Sequence, residues 1–530
     1  DALLYIHFPK NETLTVAARK RFAFEDIFYM QIKQHREKVA AKNSLSYPIT
    51  IPQKTLSEFI ASFPFTPTDA QRDAITSILD DLARNDPMGR LLEGDVGSGK
   101  TFVAGVVSYA VLHTRISDNG PRLQVAYLAP TEILAKQHFE SFIEYFKGTG
   151  IELGLLTGSG CKKFPSKLTD TPTDISRAQL IKWLQDGRVS IVIGTHALIQ
   201  KSVEFANLAL IIIDEQHRFG VKQRAALTRR HSQKNSEQKD MDGYEGENYT
   251  VKIPHLLSMT ATPIPRTLAL TMFGDLDLTV IDTLPKNRKK IITEIIRATK
   301  RNEMYEHVRK ELQAGRQVYV ICPRIDEQDE EERQKRQLKS VKEEAERLAN
   351  IVFPEFIVDI LHSKLKKEEK EEVMEDFLAK KSDILVATSV VEVGVNVPNA
   401  TVIIIEHADR FGLAQLHQLR GRVGRAEHQS YCYLFTESQG ETSYKRLEAL
   451  VKAKNGFELA EQDMLARGIG TLNDGKQWGL SDLAMEAIKN PKLVEIARRE
   501  ARALVDSDQT LEQHQELKVT IEERERVHME

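Results

Sequence analysis

The chain has 530 residues, enough for roughly two to four domains, and its 41% hydrophobic and 28% charged residues are typical of a globular protein. Lys and Arg (74) nearly balance Asp and Glu (77), so the formal charge of −3 gives no overall attraction to nucleic acid, and any such binding must depend on local basic patches. The three widely separated cysteines predict neither a disulfide framework nor a zinc site, and no apolar run reaches the roughly 20 residues of a membrane-spanning helix.

The first 64 residues are predicted to form a helical segment followed by a linker. The chain begins with Asp1 rather than Met, so we expect a fragment of a longer protein. Apolar residues from Ala17 to Ile32 recur at roughly helical spacing, which predicts a helix that packs against the next domain. Prolines then interrupt the pattern at positions 48, 52, 64 and 67 and indicate a linker.

Two interpretations of Gln71 are open, because this glutamine follows Phe65 and Thr68 at the start of a predicted helix. A glutamine amide can both donate to and accept from the edge of adenine, and Phe65 can stack on the ring. A side chain at Thr68 or Asp69 can instead cap the helix. The two roles are compatible, and we favour adenine recognition because a phosphate-binding loop follows in the chain.

The sequence from Gly94 to Thr101, Gly-Asp-Val-Gly-Ser-Gly-Lys-Thr, fits the phosphate-binding loop pattern of Gly, four residues, Gly, Lys and Ser or Thr. Its glycines let the backbone turn N–H groups towards an anion at the start of the next helix. Lys100 is expected to reach the β- and γ-phosphates of ATP, and Thr101 to bind Mg²⁺. The predicted nucleotide contacts in this loop are Gly94, Asp95, Val96, Gly97, Ser98, Gly99, Lys100 and Thr101.

Strand-like and helical runs alternate after this loop. Apolar strands are predicted to end before Ala129, Thr195, Asp214 and Thr260, and polar residues follow each of them. Alternation of this kind predicts an α/β domain over residues 65–284, with helices covering a parallel sheet. Because ligands bind beyond the carboxyl ends of such strands, we expect these polar segments to face one crevice.

Asp214 and Glu215 follow a run of aliphatic residues and predict the second half of the nucleotide site. Asp214 is expected to hold Mg²⁺, mostly through water, and Glu215 to orient and polarise an attacking water. A solvated turn is the alternative interpretation of an acidic pair. The phosphate loop upstream favours the catalytic one.

A second alternating series predicts another parallel-sheet domain over residues 285–438, without a phosphate loop of its own. Within it, the segment Gln415–Arg425 places three arginines around two glycines. This segment is either a surface patch for nucleic-acid phosphates or a set of residues that reach the ATP. We favour the second, because Gly421 and Gly424 indicate close backbone approach. Arg425, with Arg422, is then a candidate arginine finger, a device that accelerates hydrolysis about 10³–10⁵-fold.

Together these segments resemble the core of superfamily 2 helicases, in which two RecA-like domains bind ATP between them. The matching motifs are Gly94–Thr101, Asp214–His217, Ser258–Thr262 and Gln418–Arg425. Within this superfamily the chain is most similar to the RecG family of bacterial branched-DNA translocases. The segments that carry this similarity are Asp214–Val221, Met259–Leu270, Phe273–Leu278 and Val390–Val395. The transcription-repair coupling factors are the nearest alternative, since they share part of these segments.

The resemblance implies an α/β fold with two RecA-like domains in tandem, a helical N-terminal segment and a helical C-terminal extension over residues 439–530. It implies catalytic roles for Gln418, Arg422 and Arg425. It also implies nucleotide contacts for Gly394 and Asn396, although the family usually has Asp in place of Asn396. Asn keeps hydrogen bonding and loses the charge, so we expect weaker coupling between the domains at this position.

The resemblance also implies DNA contacts. In superfamily 2 motors, phosphate contacts grip one strand across the top of both domains, and the candidates here are Thr131, Thr195 and Thr388. The segment after residue 454 resembles the start of the RecG translocation hairpin. It adds Arg467, Lys476 and Gln477, and Lys476 replaces the usual Arg, which removes the guanidinium fork.

The implied function is ATP-driven translocation on branched or duplex DNA, with Mg²⁺, in recombination and repair. The family's N-terminal wedge domain is expected to lie outside this chain. Single-stranded DNA-binding protein is a candidate partner, and we expect a monomer in the bacterial cytoplasm, associated with the nucleoid. Two alternatives stay open: a fragment of a transcription-repair coupling factor, and a DNA-binding scaffold with impaired ATPase activity. The intact Lys100, Glu215 and Arg425 argue against the scaffold.

Overall fold

Runs of buried aliphatic residues form the two sheets around which the chain is built. Every residue of the strands Leu208–Ile213 and Ala400–Ile405 is buried. Strands buried on both faces are typical of parallel sheets that carry helices on each side. The computed structural model describes residues 1–42, 44–115, 122–166, 169–200, 202–215, 252–262, 276–283, 289–323, 340–362, 364–388, 396–424, 428–437, 440–453, 455–467 and 490–527.

The first sheet contains nine strands among the described residues: β1 (Gly89–Gly94), β2 (Gln124–Leu128), β3 (Leu153–Leu156), β4 (Cys161–Phe164), β5 (Thr173–Ile175), β6 (Ile191–Gly194), β7 (Leu208–Ile213), β8 (His255–Thr260) and β9 (Asp277–Ile281). Their order is β5-β4-β3-β6-β2-β7-β8-β1-β9. Within these described strands, neighbours run parallel, except that β4 is antiparallel to β3 and β5. The helices of this domain are α4 (Asp69–Leu82), α5 (Lys100–His113), α6 (Glu132–Phe146) and α7 (Arg177–Gln185).

The second sheet contains six described strands: β10 (Ile292–Ile296), β11 (Gln317–Ile321), β12 (Val358–Leu361), β13 (Ile384–Ala387), β14 (Ala400–Ile405) and β15 (Tyr431–Phe435). These strands are parallel in the order β10-β15-β14-β11-β13-β12. Its helices are α8 (Arg301–Gln313), a helical stretch over residues 340–347 that continues into the π-helix Leu348–Val352, α9 (Lys367–Leu378), α10 (Leu413–Arg420), α11 (Glu441–Lys452) and α12 (Gly456–Arg467).

The remaining helices lie at the two ends of the chain: α1 (Ala2–His7), α2 (Glu12–Lys42), α3 (Gln53–Ala61), α13 (Pro491–Ser507) and α14 (Gln515–Val527). Ile32 of α2 is buried with Ala501 and Val505 of α13, so the two ends pack on each other. Lys38 of α2 also bonds Asp277 of β9 at 2.6 Å, which attaches this helical layer to the edge of the first sheet.

The two domains repeat one structural device at the amino end of a central strand. Gln124 begins β2, is buried, and donates from Nε2 to the carbonyls of residues 184 and 189 at 3.0 and 2.9 Å. Gln317 begins β11, is also buried, and donates to the carbonyls of residues 377 and 382 at 2.6 and 2.8 Å. The separations along the chain are 60 and 65 residues in both domains. Each glutamine thus joins its strand to the end of a following helix and the turn after it.

The predicted fold class is confirmed: two RecA-like parallel-sheet domains in tandem, with helices before and after them. The first sheet spans residues 89–281 and the second spans 292–435, and both lie inside the predicted domain limits. The sequence analysis missed β3, β4, β5, β9 and β10, which are short or partly exposed and lack a long aliphatic run. No helix in the part of the chain that the structure describes combines the length and apolar character needed to cross a membrane.

We predict that the two buried glutamines contribute similarly to stability. Gln124→Met or Gln317→Met removes two side-chain hydrogen bonds to backbone carbonyls, of which those of residues 184 and 377 keep a backbone N–H donor. Each substitution should therefore lower the free energy of unfolding by about 1–3 kcal/mol. Urea denaturation followed by circular dichroism measures the change. Gln185→Met is the matched control, because Gln185 is exposed, and should stay within about 0.5 kcal/mol. Equal midpoints for the Gln124 and Gln185 variants would show that this device contributes nothing.

Candidate functional site

A cavity of about 730 Å³ lies between the two domains at the carboxyl edge of the first sheet. The first domain lines it with the loop residues Val96, Gly97 and Gly99–Thr101, with one face of α6, and with Asp214, Glu215 and Ala261. The second domain adds α9 residues, Asn396, Pro398 and Arg422. Segments that follow β1, β7 and β8 therefore meet here, together with the face of α6 that begins at Ile133. Residues 129–132, the polar segment predicted to face the crevice after β2, are not among the described residues that line it. Thr195 and His196, which follow β6, are not among the described residues that line this cavity.

The phosphate loop has the backbone that its glycines predict. Gly97 and Gly99 have φ values of +80° and +87°, a region that L-residues rarely adopt. A Cβ at Gly94 would lie 2.5 Å from Ser98 Oγ and 3.3 Å from the Ile281 carbonyl oxygen, so a side chain at this position would crowd the loop. Lys100 is buried and donates from Nζ to the carbonyls of Gly94 and Asp95 at 2.7 and 3.0 Å. The ammonium group of Lys100 thus lies within the loop that would receive the phosphates.

Gln71 makes two contacts that the sequence analysis did not foresee together. Its Oε1 accepts from the Thr68 N–H at 2.9 Å, and the Thr68 hydroxyl accepts from the Gln71 N–H, so the pair forms a capping box. Its Nε2 donates to the Ser98 carbonyl at 2.8 Å. The side chain therefore ties the start of α4 to the phosphate loop. Phe65 is 45% exposed and its ring meets Phe102 edge-on, so one side stays open for stacking.

The Asp214 carboxylate is held ready to act as an ionised group. Its Oδ2 lies 2.9 Å from His138 Nε2, and the His138 ring is also 3.4 Å from the Tyr127 hydroxyl. Burial favours the neutral acid, but the hydrogen bond and charge of His138, together with Lys100, lower the pKa of Asp214. The sequence analysis missed His138, because nothing in the local pattern of α6 sets it apart from a packing residue.

Glu215 differs from its neighbour in both backbone and charge. It has a φ of +54°, a strained value for a residue with a side chain, next to the cavity. Burial and the adjacent Asp214 carboxylate raise the pKa of Glu215 to about 6, while Lys100 and Arg422 act in the opposite direction. The Ala261 N–H donates to Glu215 and joins the ends of β7 and β8. Adjacent carboxyls with different pKa values fit different tasks. Asp214 fits the task of a permanently charged ligand, and Glu215 that of a base that takes up a proton.

The second domain reaches the phosphate loop through the end of α10. A Cβ at Gly421 would lie 2.9 Å from Val96 Cβ, which confirms the predicted close backbone approach. Arg422 is buried and lines the cavity. His417, which the sequence analysis did not select, lies 2.6 Å from the Asp95 carboxylate. Gln418 lies one residue further along the helix, is half-buried, and is not among the described cavity-lining residues. Arg425 lies outside the described residues.

A second set of contacts joins the domains along α6. Gln137 Nε2 donates to the Asn396 carbonyl at 3.4 Å, and Gln137 Oε1 accepts from the Asn396 N–H at 3.2 Å. Lys136 lies 3.3 Å from Glu371 of α9, and Ile133 packs against the core of the second domain. The contact at Asn396 is thus made by its backbone, so the Asn side chain is not required for it.

The predicted DNA contacts are only partly described. Thr131 caps α6, since its hydroxyl accepts from the Leu134 N–H at 3.4 Å, and Thr195 directly precedes the short 3₁₀ helix His196–Ile199. Thr388 is 1% exposed, so its hydroxyl does not face the surface as a phosphate contact requires. Arg467 ends α12, whose Leu459 packs into the core of the second domain. Gly394, Lys476 and Gln477 lie outside the described residues.

Comparison with known proteins gives matches over both domains. The DEAD/DEAH box helicase family matches residues 68–271, and the helicase conserved C-terminal domain matches residues 299–427. The ATP-dependent DNA helicase RecG of Synechocystis sp. is 41% identical over 525 residues, which are 99% of this chain and 58% of that protein. The RecG of Bacillus subtilis is 40% identical over 510 residues, 96% of this chain and 68% of that protein. The chain thus spans about three fifths to two thirds of the length of these relatives.

Solved structures agree with this result. A structure of RecG bound to a three-way DNA junction is similar with a TM-score of 0.72 and 36% identity, covering 93% of this chain and 59% of that one. The DUF1998 helicase MrfA bound to DNA is similar with a TM-score of 0.51 and 16% identity, covering 77% and 55% of the two chains. At that identity the second similarity concerns the fold alone.

We predict that Gln71→Ala weakens the binding of ATP and of GTP alike, by roughly 3- to 10-fold. Both ends of the Gln71 amide are bonded within the protein, so its loss should disturb the phosphate loop, which contacts parts common to both nucleotides. Fluorescent ATP and GTP analogues measure the two dissociation constants. Gln185→Ala, which removes an exposed glutamine, serves as the control. A loss confined to ATP would instead support adenine recognition by Gln71.

Proposed function

The chain belongs to the RecG family of ATP-dependent DNA helicases, and from that premise we propose that it hydrolyses ATP to translocate on duplex DNA and acts at branched DNA. One observation carries the proposal. The phosphate loop and the acidic pair of the first domain line the same cavity as Arg422 of the second. A nucleotide bound there would touch both domains. Release of its terminal phosphate after hydrolysis can therefore change how the two domains associate.

The residues of the first domain fit the steps of nucleotide hydrolysis. Lys100 is already in the loop and has only to exchange two backbone carbonyls for phosphate oxygens. Glu215, with its raised pKa, is suited to accept the proton of an attacking water. Its bond from the N–H of Ala261, the residue that follows β8, holds the Glu215 carboxyl between the ends of β7 and β8.

The oxygen ligands that Mg²⁺ prefers are present in the same cavity. The Thr101 hydroxyl and the ionised Asp214 carboxylate both line it. No cluster of three or more His, Cys, Asp or Glu residues suited to a metal occurs within the described ranges. This donor set fits Mg²⁺, which usually takes one or two protein ligands together with phosphates and water. When bound, the ion would neutralise charge on the β- and γ-phosphates.

The second domain is proposed to complete the site. Arg422 already lies close enough to Glu215 to affect its pKa, and Arg425, three residues further on, is proposed as the arginine finger. Gly421 allows this segment to pack against Val96 without a side chain between them. Binding ATP would then favour the closed arrangement, and hydrolysis would release it.

The DNA partner is proposed from the family. The related RecG structure contains a three-way DNA junction, and we propose branched or duplex DNA as the partner of this chain. Contacts to phosphates from helix starts such as that of α6 would be independent of sequence and sensitive to salt. Association with the bacterial nucleoid, binding to single-stranded DNA-binding protein and a monomeric state are proposed with this function. The relatives named above do not favour a transcription-repair coupling factor.

We predict that ATP turnover at saturating ATP and DNA rises as the pH increases through about 6. The raised pKa of Glu215 means that its carboxylate, the form that accepts a proton, predominates above about pH 6 and is lost below it. Asp214, with a lowered pKa, stays ionised over this range. Steady-state kcat from pH 5 to 8 gives the profile, and binding of a non-hydrolysable ATP analogue is the control. A flat kcat profile through pH 6 would contradict the assignment of Glu215 as the base.

We predict that Lys100→Ala abolishes DNA-stimulated ATP hydrolysis, because the loop loses the cation that reaches the phosphates. Arg425→Ala should retain binding of an ATP analogue and lose hydrolysis by about 10³-fold or more. ATPase assays with a three-way junction, linear duplex and single-stranded DNA measure both effects and the preferred partner. Undiminished turnover of the Lys100 variant would refute the proposed function. If Arg425→Ala lost only DNA binding, this arginine would belong to a DNA-phosphate patch.

A further inference from the structure

The contact between His417 and Asp95 joins the phosphate loop to the second domain directly. His417 Nε2 lies 2.6 Å from Asp95 Oδ1, and the side chain of His417 is only 4% exposed. Asp95 Oδ1 also accepts from the Val96 N–H at 2.7 Å. These two bonds turn the carboxylate towards α10. Asp95 is not among the described residues that line the cavity, although Val96 and Gly97, which follow it, are.

Arg420 fixes the orientation and tautomer of the His417 ring. Arg420 Nη2 lies 2.9 Å from His417 Nδ1, and Arg420 Nη1 donates to the Leu450 carbonyl at 2.8 Å. A guanidinium group can only donate, so Nδ1 must accept with its lone pair. The ring proton is then on Nε2 and points at the Asp95 carboxylate. The three side chains form a line, Arg420–His417–Asp95, from the second domain into the phosphate loop of the first.

The direction of the Asp95 carboxylate has an electrostatic consequence. His417 and the Val96 N–H, with Lys100 nearby, overcome the effect of burial and lower the pKa of Asp95 to about 2, so the group is an anion at neutral pH. An anion within a few ångströms of a phosphate repels it strongly where water is sparse. The loop therefore accepts a phosphate most easily while this carboxylate is held on the side facing α10.

We propose that His417, oriented by Arg420, is a positioning residue that keeps the Asp95 carboxylate turned away from the phosphate site. Because His417 belongs to the second domain, the phosphate loop reaches its anion-accepting state only when the two domains are in contact. This inference rests on the proposed binding of ATP. It assigns to His417 a task separate from that of the arginine finger, namely coupling between nucleotide affinity and domain contact.

The neighbouring packing supports this assignment. Gly421 follows His417 by four residues and so lies on the same side of α10. Its missing Cβ lets the helix end approach Val96, the residue next to Asp95. Gly421 thus sets the distance and His417 the hydrogen bond, and both act on adjacent residues of one loop.

The test is a double-mutant cycle on the intact chain. His417→Ala should raise both the KM for ATP and the dissociation constant of a fluorescent ATP analogue by about 10-fold, with kcat changed less than about 2-fold. In an Asp95→Asn background the same His417 change should have an effect below about 2-fold, because the carboxylate charge is gone. His417→Gln, which retains an N–H donor, should recover most of the affinity.

His428→Ala is the matched control. His428 also pairs with an arginine of the second domain, since Arg316 Nη2 lies 3.2 Å from its Nδ1, and among the described residues this hydrogen bond stays within that domain. Its KM should equal that of the wild type. An unchanged affinity for His417→Ala, or an equal loss in both Asp95 backgrounds, would overturn the proposal. Thermal denaturation shows whether each variant folds. The analogue's dissociation constant still decides the matter if the wild type hydrolyses no ATP, an outcome that would refute the proposed function instead.

Discussion

The proposed function places a polyphosphate next to three carboxyl groups, and this is the electrostatic constraint on which the cavity depends. Three acidic residues lie in or beside the phosphate loop: Asp95, Asp214 and Glu215. The surroundings of each carboxyl group differ. Asp95 is turned towards His417, Asp214 is paired with His138, and Glu215 has a raised pKa near 6. Like charges repel strongly in a site of low water content. Each carboxyl group must therefore be paired, turned away from the phosphates or kept partly protonated. Asp95 is bonded from α10 and Asp214 from α6, whereas the pKa of Glu215 is raised by burial. Residues of both domains are therefore needed to complete one site.

The domain interface is therefore made of the same residues that prepare the nucleotide site. His417 and Gly421 contact the phosphate loop, while Gln137 on α6 contacts the backbone of Asn396. Because α6 also provides His138, one helix supports Asp214 and touches the second domain. A change in the bound nucleotide can in this way alter contacts at two separate points of the interface. Coupling of this kind needs no long chain of intermediate residues.

Much of the fold and part of the site could be predicted because the signals are local. Eight contiguous residues define the phosphate loop, and aliphatic runs mark strands such as β7 and β14. The histidines could not be predicted this way. Asp95 and His417 are 322 residues apart, and only the packed domains bring them together. Gln418 was selected for its place in a motif, whereas His417 shares a helix face with Gly421 and meets the loop. The roles of Gln418, Arg425 and the DNA-contact residues other than the buried Thr388 stay predictions.

The Gln71 side chain makes one contact that is local in sequence and one that is distant. Its capping box follows from Thr68, three residues earlier, and could be foreseen from sequence. Its bond to Ser98 could not, since that contact depends on how α4 lies against the phosphate loop. Adenine recognition and loop support both require an amide at this position, so residue type alone does not separate them.

The paired glutamines Gln124 and Gln317 also bear on how the proposed ATP-driven movement would pass through each domain. Each glutamine bonds the amino end of a strand to the end of a helix. ATP is proposed to bind at the opposite, carboxyl edge of the sheet. Hydrogen bonds at this amino edge favour movement of each domain as one body. If ATP binds at the opposite edge as proposed, closure of the cavity would then move each domain as a whole, and the contacts between the domains would determine how far it moves.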